Sequence, residues 1–174
     1  AIVQAWYGGQ AGGQALAEVI FGRVNPSGRL PVTFYRNVEQ LPDFEDYNME
    51  GHTYRYFRGE PLYPFGYGLS YSKFTYGKPR YADGQLMLTV SNKSKRDGTE
   101  TVLVYISKEG DTDGPIRTLR AFQRVEVPAG ASVAVKIPLP DSTFEWWDVK
   151  SNAMRVLPGN YILHIGNHRL RVSR

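Results

Sequence analysis

Four carboxylates on one short stretch, Asp43, Glu45, Asp46 and Glu50, form the only acidic cluster in the sequence. Paired carboxylates are what glycosidic bond hydrolysis requires: one exchanges a proton with the leaving oxygen while the other attacks or orients water. Here they sit among Pro and Tyr with no metal motif beside them. The stretch reads as a solvated loop, or as pairing with nearby Arg55 and Arg58, rather than as a catalytic pair. The three histidines are His52, His164 and His168. His164 and His168 are four apart, but in strand-and-turn sequence, so they lack the helical face that turns such spacing into a metal site. Gly8-Gly9-Gln10-Ala11-Gly12-Gly13 before a helix has the character of a phosphate cradle. It lacks the Gly-Lys-Ser/Thr ending of a P-loop and departs from G-x-G-x-x-G, so a tight structural turn is the preferred reading. No Gly-x-Ser-x-Gly elbow is present. With zero Cys there is no disulfide, thiolate metal site or Cys nucleophile. Trp146-Trp147 and the loop residues Tyr54, Tyr56 and Phe57 have faces able to stack on sugar rings. Successive strand residues point to opposite faces, so one Trp is expected in the core and the other against a neighbouring domain. For the loop aromatics, packing and bordering a pocket both stay open. The residues thus assign no catalytic residue and no metal ligand, and leave substrate-binding residues unassigned.

The elements that position these groups follow from periodicity and turn chemistry. Ala15, Leu16, Val19 and Ile20 fall at 3.6-residue spacing and predict a helix over 12–21, with Gly22 as its stop. Asn25-Pro26-Ser27-Gly28 is a turn. Leu30 to Phe34 reads as a short strand, placed at an edge or at the start of pairing by Pro31. Ala1-Ile2-Val3, with no initiator Met, reads as the end of a buried strand and so as part of a longer polypeptide. Residues 36–76 are irregular, with Pro42, Pro61 and Pro64 and seven Tyr between Tyr47 and Tyr76. Forty residues of loop need a second surface, and tyrosines suit one, burying large area while the hydroxyl finds a polar partner. From Arg80 the pattern turns to period two. Segments 86–90, 101–106, 119–127, 133–139, 144–149, 161–165 and 170–172 make about seven strands. They are separated by turns such as Lys95-Arg96-Asp97-Gly98, Pro128-Ala129-Gly130 and Pro158-Gly159-Asn160. This pattern predicts an immunoglobulin-like sandwich.

The 174 residues suffice for a real core but not for a TIM barrel of ~250. Hydrophobic residues at 41% and charged residues at 22% exclude a disordered chain. No apolar run approaches the ~18 residues of a membrane-spanning helix, and there is no basic-then-apolar start. The net charge of +4 is uneven: residues 1–76 hold six Lys/Arg against seven Asp/Glu, and residues 77–174 hold fifteen against ten. The cations of the second half are dispersed singly, apart from Lys93-Ser94-Lys95-Arg96 in a turn. That suits the solvated face of a sheet better than a nucleic-acid stripe.

Several ordered motifs carry a resemblance. Ala5-Trp6-Tyr7-Gly8-Gly9-Gln10 and Gly12-Gly13 precede the helix, and Asn25-Pro26-Ser27-Gly28-Arg29-Leu30-Pro31-Val32-Thr33-Phe34 follows it. Then come Thr53-Tyr54-Arg55-Tyr56-Phe57 and Pro61-Leu62-Tyr63-Pro64-Phe65-Gly66-Tyr67-Gly68-Leu69-Ser70-Tyr71. This order resembles the carboxyl end of glycoside hydrolase family 3. Leu119-Arg120-Ala121-Phe122-Gln123-Arg124-Val125 and Pro158-Gly159-Asn160-Tyr161 are similar to the fibronectin type III-like domain that ends many members. His52 stands where Arg is more usual. The family comprises retaining β-glucosidases, β-xylosidases and related exo-acting enzymes, built from a barrel, an α/β sandwich and often this β-domain. Its Asp nucleophile and Glu acid/base lie upstream of the Trp-Tyr-Gly-Gly-Gln motif, and no residue here matches either. The stretch Leu41-Pro42-Asp43-Phe44-Glu45-Asp46-Tyr47 looks most like bacterial members, and xylosides and glucosides both stay open.

The expected fold class is therefore mainly β: a fibronectin type III-like β-sandwich preceded by the terminal strand-helix-strand piece of an α/β sandwich domain. The expected division is 1–35 for that piece, 36–76 for an aromatic-rich wrapping linker and 77–174 for the sandwich. The expected role is to pack against and stabilise the catalytic domains of a β-glycosidase acting on oligosaccharides, without carrying nucleophile or acid/base and without any cofactor. The chain alone is expected to be inactive. A carbohydrate-binding module and a structural spacer are the alternatives. The resemblance implies the missing upstream domains as partner, no nucleic acid and no membrane insertion, and a periplasmic or secreted location.

Overall fold

The computed structural model describes residues 2–174. Helix α1 spans Gly12–Ile20, followed by a single helical turn α2 at Thr53–Tyr56. Ten strands follow: β1 Phe74–Tyr76, β2 Arg80–Ala82, β3 Gln85–Asn92, β4 Gly98–Lys108, β5 Thr118–Val127, β6 Ser132–Pro138, β7 Glu145–Asp148, β8 Ala153–Val156, β9 Asn160–Ile165 and β10 His168–Ser173.

Strands β1 and β2 pair with opposite ends of β3, and β6 pairs with β3 as well. The β1–β2 edge is interrupted at Gly77-Lys78-Pro79, where Pro79 has no N–H to give to a ladder. The facing sheet runs β10-β9-β4-β5, all antiparallel. Alternation drives this arrangement. Leu86, Leu88 and Val90 of β3, Val102, Val104 and Ile106 of β4, and Tyr161, Leu163 and Ile165 of β9 all turn into one core, closed by Phe144 and Trp146. Their outward neighbours are polar or half-buried, the pattern of sheets with one solvated face. The mainly β architecture and the sandwich are as expected. Asp83 and Gly84 both have positive φ, 50° and 71°, which makes the β2–β3 hairpin a two-residue turn matched to strand twist.

Four expectations are revised. The first ladder residues, Phe74–Tyr76, lie inside the stretch read as linker. The segment 144–149 joins neither main sheet: Phe144 ends a 3-10 turn, and β7 pairs only with β8 as a separate hairpin, with Trp147 opposite Met154. Leu30 to Phe34 forms no regular strand. It meets the linker through Leu30 N–H to Tyr67 O (2.8 Å) and a reciprocal pair between Phe34 and Tyr63 (2.9 and 3.2 Å), the only bridge there. Between these contacts the pairing lapses, since Val32 and Phe65, the next positions due to exchange hydrogen bonds, make none. Ile2 and Val3 also run without a ladder and are exposed, while Ala1 lies outside the described residues.

Candidate interdomain interface

Helix α1 is the predicted one and ends as predicted. Arg23 N–H reaches Glu18 O (2.7 Å) and Gly22 N–H reaches Val19 O (3.0 Å), with Gly22 at φ 70°. This double bond around a left-handed glycine satisfies the last carbonyls of the helix. Yet no residue of α1 is buried, and no residue from 2 to 71 is buried either. The apolar stripe is formed but only half covered: Leu16 and Val19 are half-buried, Ala15 and Ile20 exposed. Phe21 is 81% exposed and Phe44 93%, and Tyr7, Ile20, Val38 and Tyr47 are exposed with them. Burying one such Phe contributes about 1.5–3 kcal/mol.

This uncovered half is joined to the sandwich by a polar seam. Asn25 donates through Nδ2 to Ser72 Oγ and to Asp97 O, both at 2.8 Å. Its Oδ1 accepts from Ser70 Oγ (2.8 Å) and Tyr71 N–H (2.9 Å). Tyr71 Oη donates to Val19 O at 2.6 Å, Arg96 donates to Gly22 O, and the Arg96 guanidinium lies 5.2 Å from the Tyr71 ring centroid. Nearby, Arg29 Nη2 meets Glu100 Oε2 at 2.6 Å, with the two side chains only 14% and 9% exposed. Tyr76 donates to the other carboxylate oxygen at 2.6 Å. Burial, then the bond to Glu100, pushes the Tyr76 phenol far above its ordinary value.

The wrapping segment lies on the outer face of β4. Tyr54 stacks on Phe65 with centroids 4.2 Å apart, and both rings meet Tyr105 edge-on at 5.8 and 6.3 Å. Tyr54 Oη accepts the Leu119 N–H (2.9 Å), and Arg55 O accepts the Ile116 N–H (2.7 Å). Gly66 permits this approach: its φ is 82°, and a β-carbon would lie 2.5 Å from Tyr105 Oη and 2.7 Å from Leu103 Cδ1. Burial raises the Tyr105 phenol to about 12.

The residues singled out by chemistry are scattered. Asp43 and Asp46 accept backbone N–H groups of Glu45 and Asn48 (2.9 Å each), which are loop-shaping turns. Arg55 and Arg58 do not pair with this stretch as expected. The Arg55 guanidinium sits 5.4 Å from the Tyr56 ring and Arg58 reaches Thr112 O at 3.4 Å, because the 53–58 segment is drawn to the sandwich. His52 bonds to Glu50 O, His168 to Tyr76 O, and His164 to Ser107 Oγ at 2.8 Å, so the three serve separate places. The glycine-rich stretch closes a turn through Gly12 N–H to Gly9 O (2.9 Å). Trp146 is 8% exposed and donates Nε1–H to Asp111, while Trp147 is 51% exposed. The inward and outward split follows from strand alternation. Arg29 and Glu100 were not singled out by sequence, because no local pattern links residues 71 apart.

The arrangement holds two halves together through polar contacts, most of them part-buried or exposed, and leaves large apolar side chains of the first half exposed. Comparison with known proteins agrees in extent. Residues 1–71 match the C-terminal domain of glycosyl hydrolase family 3, and residues 100–169 match the fibronectin type III-like domain. The chain is 47% identical over 176 residues to a xylan 1,4-beta-xylosidase of Xylanibacter ruminicola, covering 98% of this chain and 20% of that protein. It is 33% identical to a periplasmic beta-glucosidase of Salmonella typhimurium, covering 100% of this chain and 25% of that protein. The solved structure of beta-glucosidase 3B from Thermotoga neapolitana with alpha-D-glucose superposes with a TM-score of 0.86 at 30% identity, over 97% of this chain and 27% of that one. The chain thus spans about a fifth to a quarter of the length of these relatives.

Proposed function

Residues 1–71 belong to the C-terminal domain of glycosyl hydrolase family 3 and residues 100–169 to the fibronectin type III-like domain, and on that premise we propose that the chain is the supporting carboxy-terminal part of a retaining, exo-acting β-glycosidase. In this reading residues 1–35 complete an α/β sandwich domain, 36–73 wrap across the junction and 74–174 form the accessory sandwich, with β1 as its first strand. The segment packs against the catalytic domains of the same polypeptide, which carry the nucleophile and the acid/base. The observation that carries the proposal is the contrast in burial. Residues 74–173 own a complete core, whereas residues 2–71 fold their helix and turns around no buried residue at all. A face already shaped but uncovered is what one half of an interface between domains looks like.

The substrate of the whole enzyme is a terminal, non-reducing β-linked sugar of a plant-type oligosaccharide. The higher identity to a xylosidase than to a glucosidase, 47% against 33%, favours xylose. A location in the bacterial periplasm or medium is supported by the periplasmic relative. Among the described residues no helix is long and apolar enough to cross a membrane.

Two measurements test this. The purified chain is expected to release no nitrophenol from aryl β-xylosides or β-glucosides; sustained turnover that survives removal of trace full-length enzyme would overturn the reading. Deleting the segment from the longer enzyme is expected to abolish stable folding of the catalytic domains. A second reading, a carbohydrate-binding module, draws on exposed Trp147 opposite Met154 on the β7–β8 hairpin. Titration with xylo-oligosaccharides decides it: binding lost in Trp147→Ala favours the module.

A further inference from the structure

A cavity of about 180 Å³ lies where the wrapping segment crosses the outer face of the second sheet, between Gly66 on one side and Leu103, Tyr105 and His164 on the other. Its polar groups are sharply unequal in how they are used. At one end Glu100 is consumed: Arg29 takes one carboxylate oxygen and Tyr76 the other, each at 2.6 Å. Arg29 is consumed with it, since its remaining contacts go to Gly68 O at 3.0 Å and Gly28 O at 3.3 Å. At the other end Arg117 is free. Its guanidinium carbon lies 4.5 Å from the centroid of the Tyr105 ring, and among the described residues it donates no hydrogen bond and pairs with no carboxylate. A guanidinium beside a ring and without a hydrogen-bond partner keeps its N–H groups for a ligand, and those groups match a carboxylate in two parallel hydrogen bonds.

The neighbouring groups lean the same way. His164 has Nε2 committed to Ser107 Oγ, which leaves Nδ1 available. The charged and titratable groups around it are Arg117 in the loop before β5, Arg169 on the paired strand β10, and Tyr105 on β4, with the neutralised Arg29–Glu100 pair and Tyr76 at the far end of the cavity. Burial and then the two arginines hold this imidazole below its ordinary value, so the site carries uncompensated positive charge from the guanidinium rather than from the histidine. The Tyr105 hydroxyl adds a neutral donor at the wall beside Gly66.

We propose that this cavity is a binding site for a small carboxylate, held by the edge of Arg117 with the Tyr105 hydroxyl as second donor. The proposal rests on the cavity alone and stands apart from the glycosidase reading. The bound carboxylate is either free in solution or borne on a sugar ring. Acetate and glucuronate probe these two sources, and neutral xylose probes a site that reads hydroxyls instead of charge.

The experiment is a titration of the 174-residue chain, followed by the His164 imidazole resonances. Acetate or glucuronate is expected to bind saturably and to raise the His164 pKa, because a nearby anion favours the imidazolium. Binding by glucuronate alone marks a sugar-borne carboxylate; binding by both marks a carboxylate of either source. Arg117→Gln is expected to weaken binding about tenfold or more, the loss typical of a charge-assisted hydrogen bond. Tyr105→Phe, which keeps the ring beneath Arg117, is expected to weaken it about threefold and to leave the fold intact. The proposal is overturned if neither carboxylate shifts His164, if xylose binds as well as glucuronate, or if Tyr105→Phe and a folded Arg117→Gln both bind at the original strength.

Discussion

Arg29→Met is expected to destabilise the chain by about 3 kcal/mol, and the reasoning turns on which charge is left behind. Arg29 and Glu100 are mostly buried and 2.6 Å apart. Removing one member of such a pair typically costs about 3–5 kcal/mol, because the survivor stays desolvated without its counter-charge. In Arg29→Met the Glu100 carboxylate still accepts from Tyr76, which places the expected loss at the lower end. Glu100→Gln keeps an acceptor for Tyr76 and leaves Arg29 with Gly68 O and Gly28 O, so about 2 kcal/mol is expected. The double variant holds no buried charge at this point and is expected to lose only about 2 kcal/mol in total, a coupling of about 3 kcal/mol between the two sites. The assay is urea unfolding of the four proteins, followed by the fluorescence of Trp146 in the sandwich core. Additive losses in the double variant, or an Arg29→Met loss under about 1 kcal/mol, would refute the argument that this pair locks the first half of the chain to the sandwich.

Other outcomes follow from the same contacts. Gly66→Ala meets both a positive φ and a clash with Tyr105 and Leu103. It is expected to cost about 2–3 kcal/mol, read as a lower thermal midpoint, with faster proteolysis of the 53–68 segment. Asn25→Ala removes four hydrogen bonds at once, two of them, to Ser72 and Asp97, leaving the first half of the chain. A loss of about 2–3 kcal/mol is expected, and cleavage at Arg23 should accelerate in limited trypsin digestion; an unchanged digest would contradict the role assigned to the seam. His164 is held below its ordinary 6.5 by burial and two arginines, so the unfolded chain binds this proton more readily than the native one. Stability from this group is therefore complete above pH 6.5 and falls as pH drops below it. Unfolding midpoints measured from pH 7.5 to 5 should show that slope, and His164→Gln should flatten it. For Tyr105, raised to about 12, the sign is opposite: the native state keeps its proton more tightly. Stability should decline as pH rises through 10, with phenolate absorbance appearing as the chain unfolds.

What the sequence determined by itself is what depends on neighbours within a few residues. The 3.6-residue stripe Ala15, Leu16, Val19, Ile20 and the glycine after it specified a helix and its end, because helical hydrogen bonds and the left-handed stop are local. The period-two runs and their turns specified most strands of the sandwich, and alternation alone told Trp146 from Trp147 in kind, as one buried and one exposed residue. The ordered motifs from Trp6 to Tyr71 carried the family. Tertiary structure decided everything that closes a long loop of chain. Whether 30–34 became a strand depended on a partner, and the linker supplied one at Phe34 and Leu30 but none at Val32. Arg55 and Arg58 lay close in sequence to the carboxylates at 43–50 but were drawn to the β4–β5 side, where Tyr54 and Arg55 satisfy the N–H groups of Leu119 and Ile116. The Arg29–Glu100 pair, the Asn25 seam and the walls of the cavity under Gly66 join residues 37 to 98 positions apart. Such contacts leave no period or spacing in the sequence, since their energy comes from desolvated charge and packed rings that meet only after the strands have paired. The apolar side chains of residues 2–71 belong with them: the sequence wrote an amphipathic helix, and only the fold shows that its stripe is covered in part, Leu16 and Val19 half-buried and Ala15 and Ile20 exposed.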